Sequence, residues 1–538
     1  MPAVISPIVF CLLLAWTTLA VAPGASEPLK LTGLAAAAGL LALRLPFAGI
    51  ARSARNALLA YAFAFVLATL LALEPEVAFF GSRARGQGSL AALSLVVIAA
   101  TAAALDLRAR ERIYVTAGVL ASLVAAYALV QWLGFDRWNW AQSIPGRPAA
   151  TLSNPSTLAG FLGLSLPLTL YLAWSRPHQC GLWLAAVALQ SAAVVATATR
   201  SVLIGLTLSA LLLGFARPSL RRWRLPVAVM IVLLSGTLAL QRLESLDDRS
   251  NLWQAAAHVI TDPPGLVDVH GVVDPLRRWR PVMGFGPDLQ QAPLRTKLSG
   301  MRSDVAAWQA DRAHQIALDR ALETGCLGLA TGLALCLLVA MTLLQRLRGV
   351  SPALNGEVLA LTCALGIWFL HLQLSFALTG DRSLAWILIG FALAAGGRGD
   401  NPTPAPRMAK IWPVLLALGL FAGAAISVRG GRAGAAERLF TQGQQRYAQA
   451  MASEPAVAQT NLIEAARRFE RAAWIRPHDS DAALAAASAW VEAAAIARTP
   501  ALIEKAQHWL DKAAAMDPRD PRLQPVAERI GEVRGPPS

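Results

Sequence analysis

Apolar runs of about 14 to 24 residues recur from Val4 to Val428, and most approach the ~20 residues an α-helix needs to cross a ~30 Å hydrocarbon core. No other feature restricts the chain so strongly. Hydrophobic residues make up 55% of the sequence and charged residues only 15%, with a mean hydropathy of +0.48, outside the usual range of soluble domains. The expected fold is therefore all-α, a polytopic transmembrane helical bundle. About thirteen spans lie near 4–22, 30–43, 57–74, 90–106, 113–133, 156–174, 180–198, 201–216, 225–241, 324–345, 355–378, 383–397 and 411–428. The second is short and rich in alanine and glycine, so a re-entrant or strongly packed segment is open there.

A formal charge of +15 would suit a nucleic-acid binder, but the basic residues are scattered between apolar runs and gather into no basic domain. Their placement is a topology signal. Arg44, Arg52 and Arg55 follow span 2; Arg108, Arg110 and Arg112 follow span 4; Arg217, Arg221, Arg222 and Arg224 follow span 8. Arg346 and Arg348, then Arg398, Arg407 and Lys410, follow spans 10 and 12. All five groups fall on one side, which the positive-inside rule makes cytoplasmic. The N-terminus is then inside, and the long 241–323 loop and the C-terminal tail are outside. The first span reads as an uncleaved anchor or a signal peptide; it lacks a basic leading region, and further spans follow. The five cysteines lie in or beside apolar runs and behave as small hydrophobes, not as a disulfide or zinc framework. Trp132, Trp138 and Trp140 crowd the outer end of span 5, as interfacial anchors do.

The chain divides into transmembrane helices 1–9 (1–240), a large outer loop (241–323), helices 10–13 (324–428) and a polar, Ala-rich tail (429–538). Two related stretches of the tail, 464–477 and 505–518, each read as a helix ending at a proline. They pair Ala465 with Ala506, Phe469 with Trp509 and Ala472 with Ala513. This spacing resembles the second helix of a degenerate tetratricopeptide repeat, though the period is about forty rather than ~34. An ordinary helical hairpin is the other reading, and either serves a protein partner better than catalysis.

Four outward features carry candidate chemistry. Arg200 stands in the short turn Thr197-Ala-Thr-Arg-Ser201, where a snorkelling arginine is the plain alternative. Arg249 opens the first helix of the outer loop. Pro281-Val-Met-Gly-Phe-Gly-Pro-Asp288 is a tight Gly/Pro turn without the strand that a dinucleotide fingerprint requires. From Asp311 to Gly325 the pattern is an amphipathic helix running into span 10, bearing Asp311, His314 and Asp319 near the membrane entry. Two arginines and a histidine on one membrane face can bind a lipid-linked phosphate and move a proton. Asp268, His270 and Asp274 lack ligand-like spacing, so no metal or other cofactor is expected.

Read in order, these segments resemble the O-antigen ligase/polymerase family of bacterial membrane glycosyltransferases, from about Arg147 to Gly328. Arg147-Pro-Ala-Ala-Thr-Leu-Ser-Asn-Pro155 is similar to the family's Asn-Pro segment, and Thr199-Arg-Ser201 to its Ser-Arg-Gly-like turn. Arg249-Ser-Asn-Leu-Trp253, Pro281 to Pro287, and Ala313-His-Gln-Ile-Ala-Leu-Asp319 with Glu323-Thr-Gly-Cys-Leu-Gly328 follow the remaining signatures. Gln315 replaces the usual asparagine, and Ser201 a glycine. The resemblance implies a GT-C-like bundle in the bacterial inner membrane and an undecaprenyl-diphosphate-linked glycan as donor. It also implies metal-independent inverting transfer to a glycan, lipid (lipid A core) or protein acceptor. Arg200 and Arg249 would hold the diphosphate, His314 would orient or deprotonate the acceptor, and Gln315 would touch substrate. Asp311 or Asp319 could fix the histidine tautomer, with capping of the following helix the preferred role for Asp311. Membrane lipids and a protein bound through the tail complete the expected partners. A lipid or solute transporter is the non-enzyme alternative, but it should carry ionisable groups at mid-span, where His371 is the main exception.

Overall fold

Backbone in lipid must close its hydrogen bonds within the segment, and the apolar runs do fold as helices. The computed structural model describes residues 2–21, 26–43, 50–82, 85–136, 146–216, 244–298, 311–349, 355–394, 411–429, 431–497 and 499–534. Among these there are 21 α-helices and no strand, only isolated bridges at Ile50–Ala394 and Val267–Val273. Five helices are long and apolar enough to cross a membrane: Arg52–Leu70, Leu107–Trp132, Pro155–Ser175, Pro177–Ala196 and Ile316–Arg348. The other apolar runs fall on the helices Pro2–Leu19, Ser26–Ala42, Ser89–Ala102, Arg200–Ala216, Asn355–Leu372, Thr379–Leu393 and Ile411–Arg429. The exception, 225–241, lies outside the described residues. So do Trp138, Trp140, Arg44 and the basic groups at 217–224 and 398–410.

Helix Pro155–Ser175 forms the centre, with 83% of its most apolar window buried, whereas only 22% is buried in Ile316–Arg348 at the rim. Glycines let the central helices meet: a Cβ at Gly205 would lie 3.0 Å from the Ile367 Cα, and one at Gly163 would lie 2.9 Å from the Ile367 side chain. Small residues at such crossings supply the close packing that lipid, itself apolar, cannot drive. Helix Pro2–Leu19 adds Phe10, Leu13 and Leu14 to this core.

The bundle has two polar ends. At one, Arg110 lies 3.9 Å from Glu357, which also accepts a hydrogen bond from Tyr114 (2.7 Å), and Arg346 donates to the Phe391 carbonyl. The described arginine groups of the topology argument thus share an end. At the other end sit the segments 71–82, 85–88, 146–154, 197–200, 244–298 and 311–315. Helix Ile411–Arg429 runs antiparallel to Ser26–Ala42, with Thr32 and Ser427 hydrogen-bonded at 3.0 Å, and so delivers the tail to this second end.

The tail is built of helices Gly431–Met451, Pro455–Ile475, Ser480–Ala497, Pro500–Met516 and Leu523–Arg534. Both related stretches are second helices of a pair, each begun by proline at its first turn, where no hydrogen bond is lost. Phe469 fits against Gly443, where a Cβ would come within 2.6 Å of its ring. The tail is docked, not loose. Val269 N–H donates to the Pro477 carbonyl (2.6 Å), Arg295 meets Asp481 (2.8 Å), and Arg476 and His478 flank Glu74 at 3.6 and 3.7 Å.

The outer loop departs from expectation at both ends. Its first helix, Glu244–Thr261, starts five residues before Arg249, while the helix expected from Asp311 starts at Ile316. The residues 311–315 are an irregular turn, because their polar groups are used in long-range pairs that a helix could not make.

Candidate functional site

The Asn-Pro segment works by capping. Asn154 accepts from the Ser156 N–H (2.8 Å) and Pro155 opens helix Pro155–Ser175, the favoured residues for both positions. Ahead of it, Arg147 donates to the Thr197 carbonyl (2.7 Å) and the Thr199 hydroxyl (3.2 Å), fixing the turn that carries Arg200. The buried Lys30 donates to the Thr151 carbonyl (2.8 Å) and pairs with Glu27 at 3.5 Å. Ser201 shares a 2.8 Å hydrogen bond with the fully buried His371; the histidine expected at mid-span thus lies in the last turn of helix Asn355–Leu372 and braces the Arg200 turn.

The Gly/Pro turn and the start of span 10 interlock. Phe285 and Gly286 N–H groups donate to the Leu322 and Glu323 carbonyls at 2.8 and 3.0 Å. Gly284 and Gly325 both have positive φ, and Gly325 kinks the helix Ile316–Gly349. A Cβ at Gly284 would stand 2.3 Å from the Glu323 oxygen, and one at Gly325 would stand 2.1 Å from the Val282 oxygen. Only glycine fits either place. Arg280 clamps the turn from beneath through paired bonds to Asp274 (2.7 and 2.8 Å) and bonds to the carbonyls of Leu71 and Gly284. Asp274 is therefore held by an arginine, and Asp268 is spent on the N–H groups of its own turn.

His314 sits in the irregular turn with φ of 56°. The turn is held from three sides: Trp253 donates to the Ala313 carbonyl (3.0 Å), Ala313 N–H donates to Asp319 (2.8 Å), and Gln315 accepts from Leu318 N–H (2.7 Å). Gln315, not Asp311, thus caps the helix, and its amide nitrogen is tied to Gln373 at 3.0 Å. Both polar atoms of its side chain are thus engaged in bracing the turn. Because Trp253 reaches the His314 turn, Arg249, one helical turn earlier, is carried to the same place. Arg200 and Arg249 are close enough to repel. Burial and that repulsion lower the Arg249 pKa, and the charge of Arg249 also acts on His314 and His371. The three expected residues converge.

Burial, with the positive charges of Arg312, Arg249 and Arg85, outweighs the pull of Asp311 and lowers the His314 pKa to about 4. The imidazole, 29% exposed, is neutral at physiological pH, with its Nε2 3.6 Å from an Asp311 oxygen. Asp319 bonds the backbone and not the ring, and Asp311 is the carboxylate nearer to the ring.

One cluster had not been singled out in the sequence. Arg85 bridges Asp288 (2.8 Å) and Asp311, and Asp288 also accepts from the Ser82 N–H (2.6 Å) and hydroxyl (2.8 Å). Arg312 lies 3.8 Å from both carboxylates and stacks 4.8 Å from the Phe376 ring. The arginines drive the Asp311 pKa far below the ordinary carboxylate range. The signal available in the sequence was the pair Arg83 and Arg85 in the short segment between spans 3 and 4, on the same face as the basic outer loop.

Five non-glycine residues have positive φ among the described residues: Ala150, Ser153, Ala198, Asp288 and His314. Each lies in one of the segments argued from sequence. Such backbone costs of order 1–3 kcal/mol per residue and persists where the surroundings over-determine it, commonly at functional sites. The chain matches no protein-family model and no curated protein.

Proposed function

We propose that the chain is a membrane glycosyltransferase of the O-antigen ligase type, moving a glycan from undecaprenyl diphosphate to an acceptor hydroxyl on the outer face of the bacterial inner membrane. The observation that carries this reading is the convergence of Arg200 and Arg249 beside a neutral His314 in a rigidly braced turn. The acceptor oxygen attacks the anomeric carbon from the face opposite the diphosphate, and the bond to the diphosphate breaks with inversion. Arg200 and Arg249 stabilise the charge that grows on the leaving group, strongest where water is scarce, and His314 takes the acceptor proton. Binding of the diphosphate would offset the positive field of Arg249 and Arg312 and raise the basicity of His314 as the substrate arrives.

In this reading all thirteen apolar runs span the membrane in a GT-C-like bundle, the arginine end faces the cytoplasm, and the tail stands outside, where it can hold a protein partner. The test is deletion of the gene and complementation with His314→Ala or Arg249→Ala, followed by analysis of surface glycans and lipid-linked intermediates. Full rescue by both variants would overturn the assignment. Accumulated long lipid-linked polymer identifies a ligase to a lipid A core, accumulated single repeat units a polymerase, and an unglycosylated protein with intact polysaccharide a protein transferase. Unchanged glycans with altered solute uptake would mean a transporter.

A further inference from the structure

A cavity of about 580 Å³ lies between the helices Arg52–Leu70, Ile316–Gly349, Asn355–Leu372 and Thr379–Leu393. Its body is apolar, and several of its lining side chains, Leu333, Leu337, Leu344 and Phe369, are exposed on the outside of the bundle. The cavity therefore opens sideways, onto the surface that faces lipid in a membrane-spanning chain. Its polar end is cationic: Arg312, Arg320 and Arg382 all line it. Arg320 is engaged by Glu323 at 2.7 Å. Arg382 is different. It is 5% exposed, and among the described residues its guanidinium makes no hydrogen bond or close ion pair, only longer-range interaction with the charges of Glu323 and Asp381. Arg312, 3% exposed, leaves its Nε and one terminal nitrogen without a hydrogen bond.

A buried guanidinium without a hydrogen bond is costly, more so at membrane depth, and such groups mark ligand pathways. We propose that this cavity binds an anionic lipid, its phosphate held by Arg382 and Arg312 and its chain lying along the apolar wall. Arginine suits that task because its planar fork meets phosphate oxygens in pairs. A free phosphate would leave the apolar body empty, and a free sugar would meet a wall that is mostly aliphatic and aromatic. The site is separate from the diphosphate-binding pair, since neither Arg200 nor Arg249 lines it. It adjoins the reaction centre through Phe376, whose ring contacts Arg312 on one side and His314, 5.3 Å between centroids, on the other. The inference stands on the cavity and its arginines and holds whether or not the transfer reading is right.

The test is native mass spectrometry of the purified full chain, titrated with phosphatidylglycerol, a long-chain polyprenyl phosphate or phosphatidylcholine. Either or both anionic lipids should bind about tenfold or more tightly than phosphatidylcholine, as one or two charge-assisted bonds would give. Preference for the polyprenyl phosphate would identify a dedicated carrier lipid, and equal binding of both a bulk anionic lipid. Arg382→Gln should remove the preference, while Arg278→Gln, at an exposed arginine of the outer loop, should keep it. Equal affinity for phosphatidylcholine and the anionic lipids, or equal loss in both variants, would overturn the proposal. Should Arg382→Gln fail to fold, Leu333→Trp, which fills the apolar wall, should weaken all bound lipid; unchanged binding there also overturns it.

Discussion

At the scale of single residues, the site is a field of positive charge with one neutral base in it. On the proposed transfer reading, with His314 as the base and its pKa lowered to about 4, the acid limb of kcat/KM should lie near that value and not near 6.5. Asp311 alone raises this pKa against burial and three arginines. Asp311→Asn should therefore move the limb to still lower pH, and a shift upward would mean that another group is the base. His314→Ala itself should cut transfer by about 10²-fold or more, the usual contribution of a positioned base. Asp288 takes the opposite part, as a carboxylate buried to hold Arg85. Asp288→Ala leaves that arginine without its main partner and should cost about 3–5 kcal/mol, seen as a fall in unfolding temperature in detergent. Arg249, Arg200 and His314 were legible because their neighbours form ordered motifs. Arg85 was not, nor was the pairing that ties it to Asp288 and Asp311, because these partners lie more than 200 positions from it in the chain, and nothing local betrays such a pair.

At the scale of elements, hydropathy located the helices because lipid permits little else to a long apolar run. It could not locate the ends. The start at Ile316 instead of Asp311, and the inclusion of Asp381 and Arg382 in helix Thr379–Leu393, depend on tertiary partners that override local pattern. The same limit hid the buried Glu27 and Lys30 at the head of helix Ser26–Ala42, since paired charges at a helix end read as a boundary. The interlocked glycines make a sharper case. Gly325→Ala forces a side chain into the Val282 carbonyl at a backbone angle that disfavours it. It should cost more than about 2 kcal/mol and abolish transfer together with stability, whereas the same change at Gly419, which meets nothing within 4 Å, should be nearly silent. Comparable melting of the two variants would mean that the turn and the kink do not depend on each other.

At the scale of the whole molecule, the tail and the outer loop form one assembly. Glu74, at the head of the short helix Pro75–Phe80, receives both Arg476 and His478 of the tail. Glu74→Ala should therefore speed release of the tail by limited trypsin digestion, and an unchanged rate would place the docking energy in the Val269–Pro477 contact instead. A reporter active only outside the cytoplasm, fused after Val428, should be active if the tail stands outside with the loop; a silent fusion would mean a miscounted span. The run at 225–241 is the one on which that count turns.

The left-handed residues carry a practical consequence for anyone seeking a hardier protein. Ala198, at φ of 51° in the turn before Arg200, is the simplest of them to relieve: glycine accepts that angle freely, and Ala198→Gly should stabilise the chain by about 1 kcal/mol. The same change frees the Arg200 turn to sample other shapes, and turnover should fall as heat tolerance rises. Selection for robustness alone would tend to erase the rigidity of the turn that carries Arg200 beside Arg249.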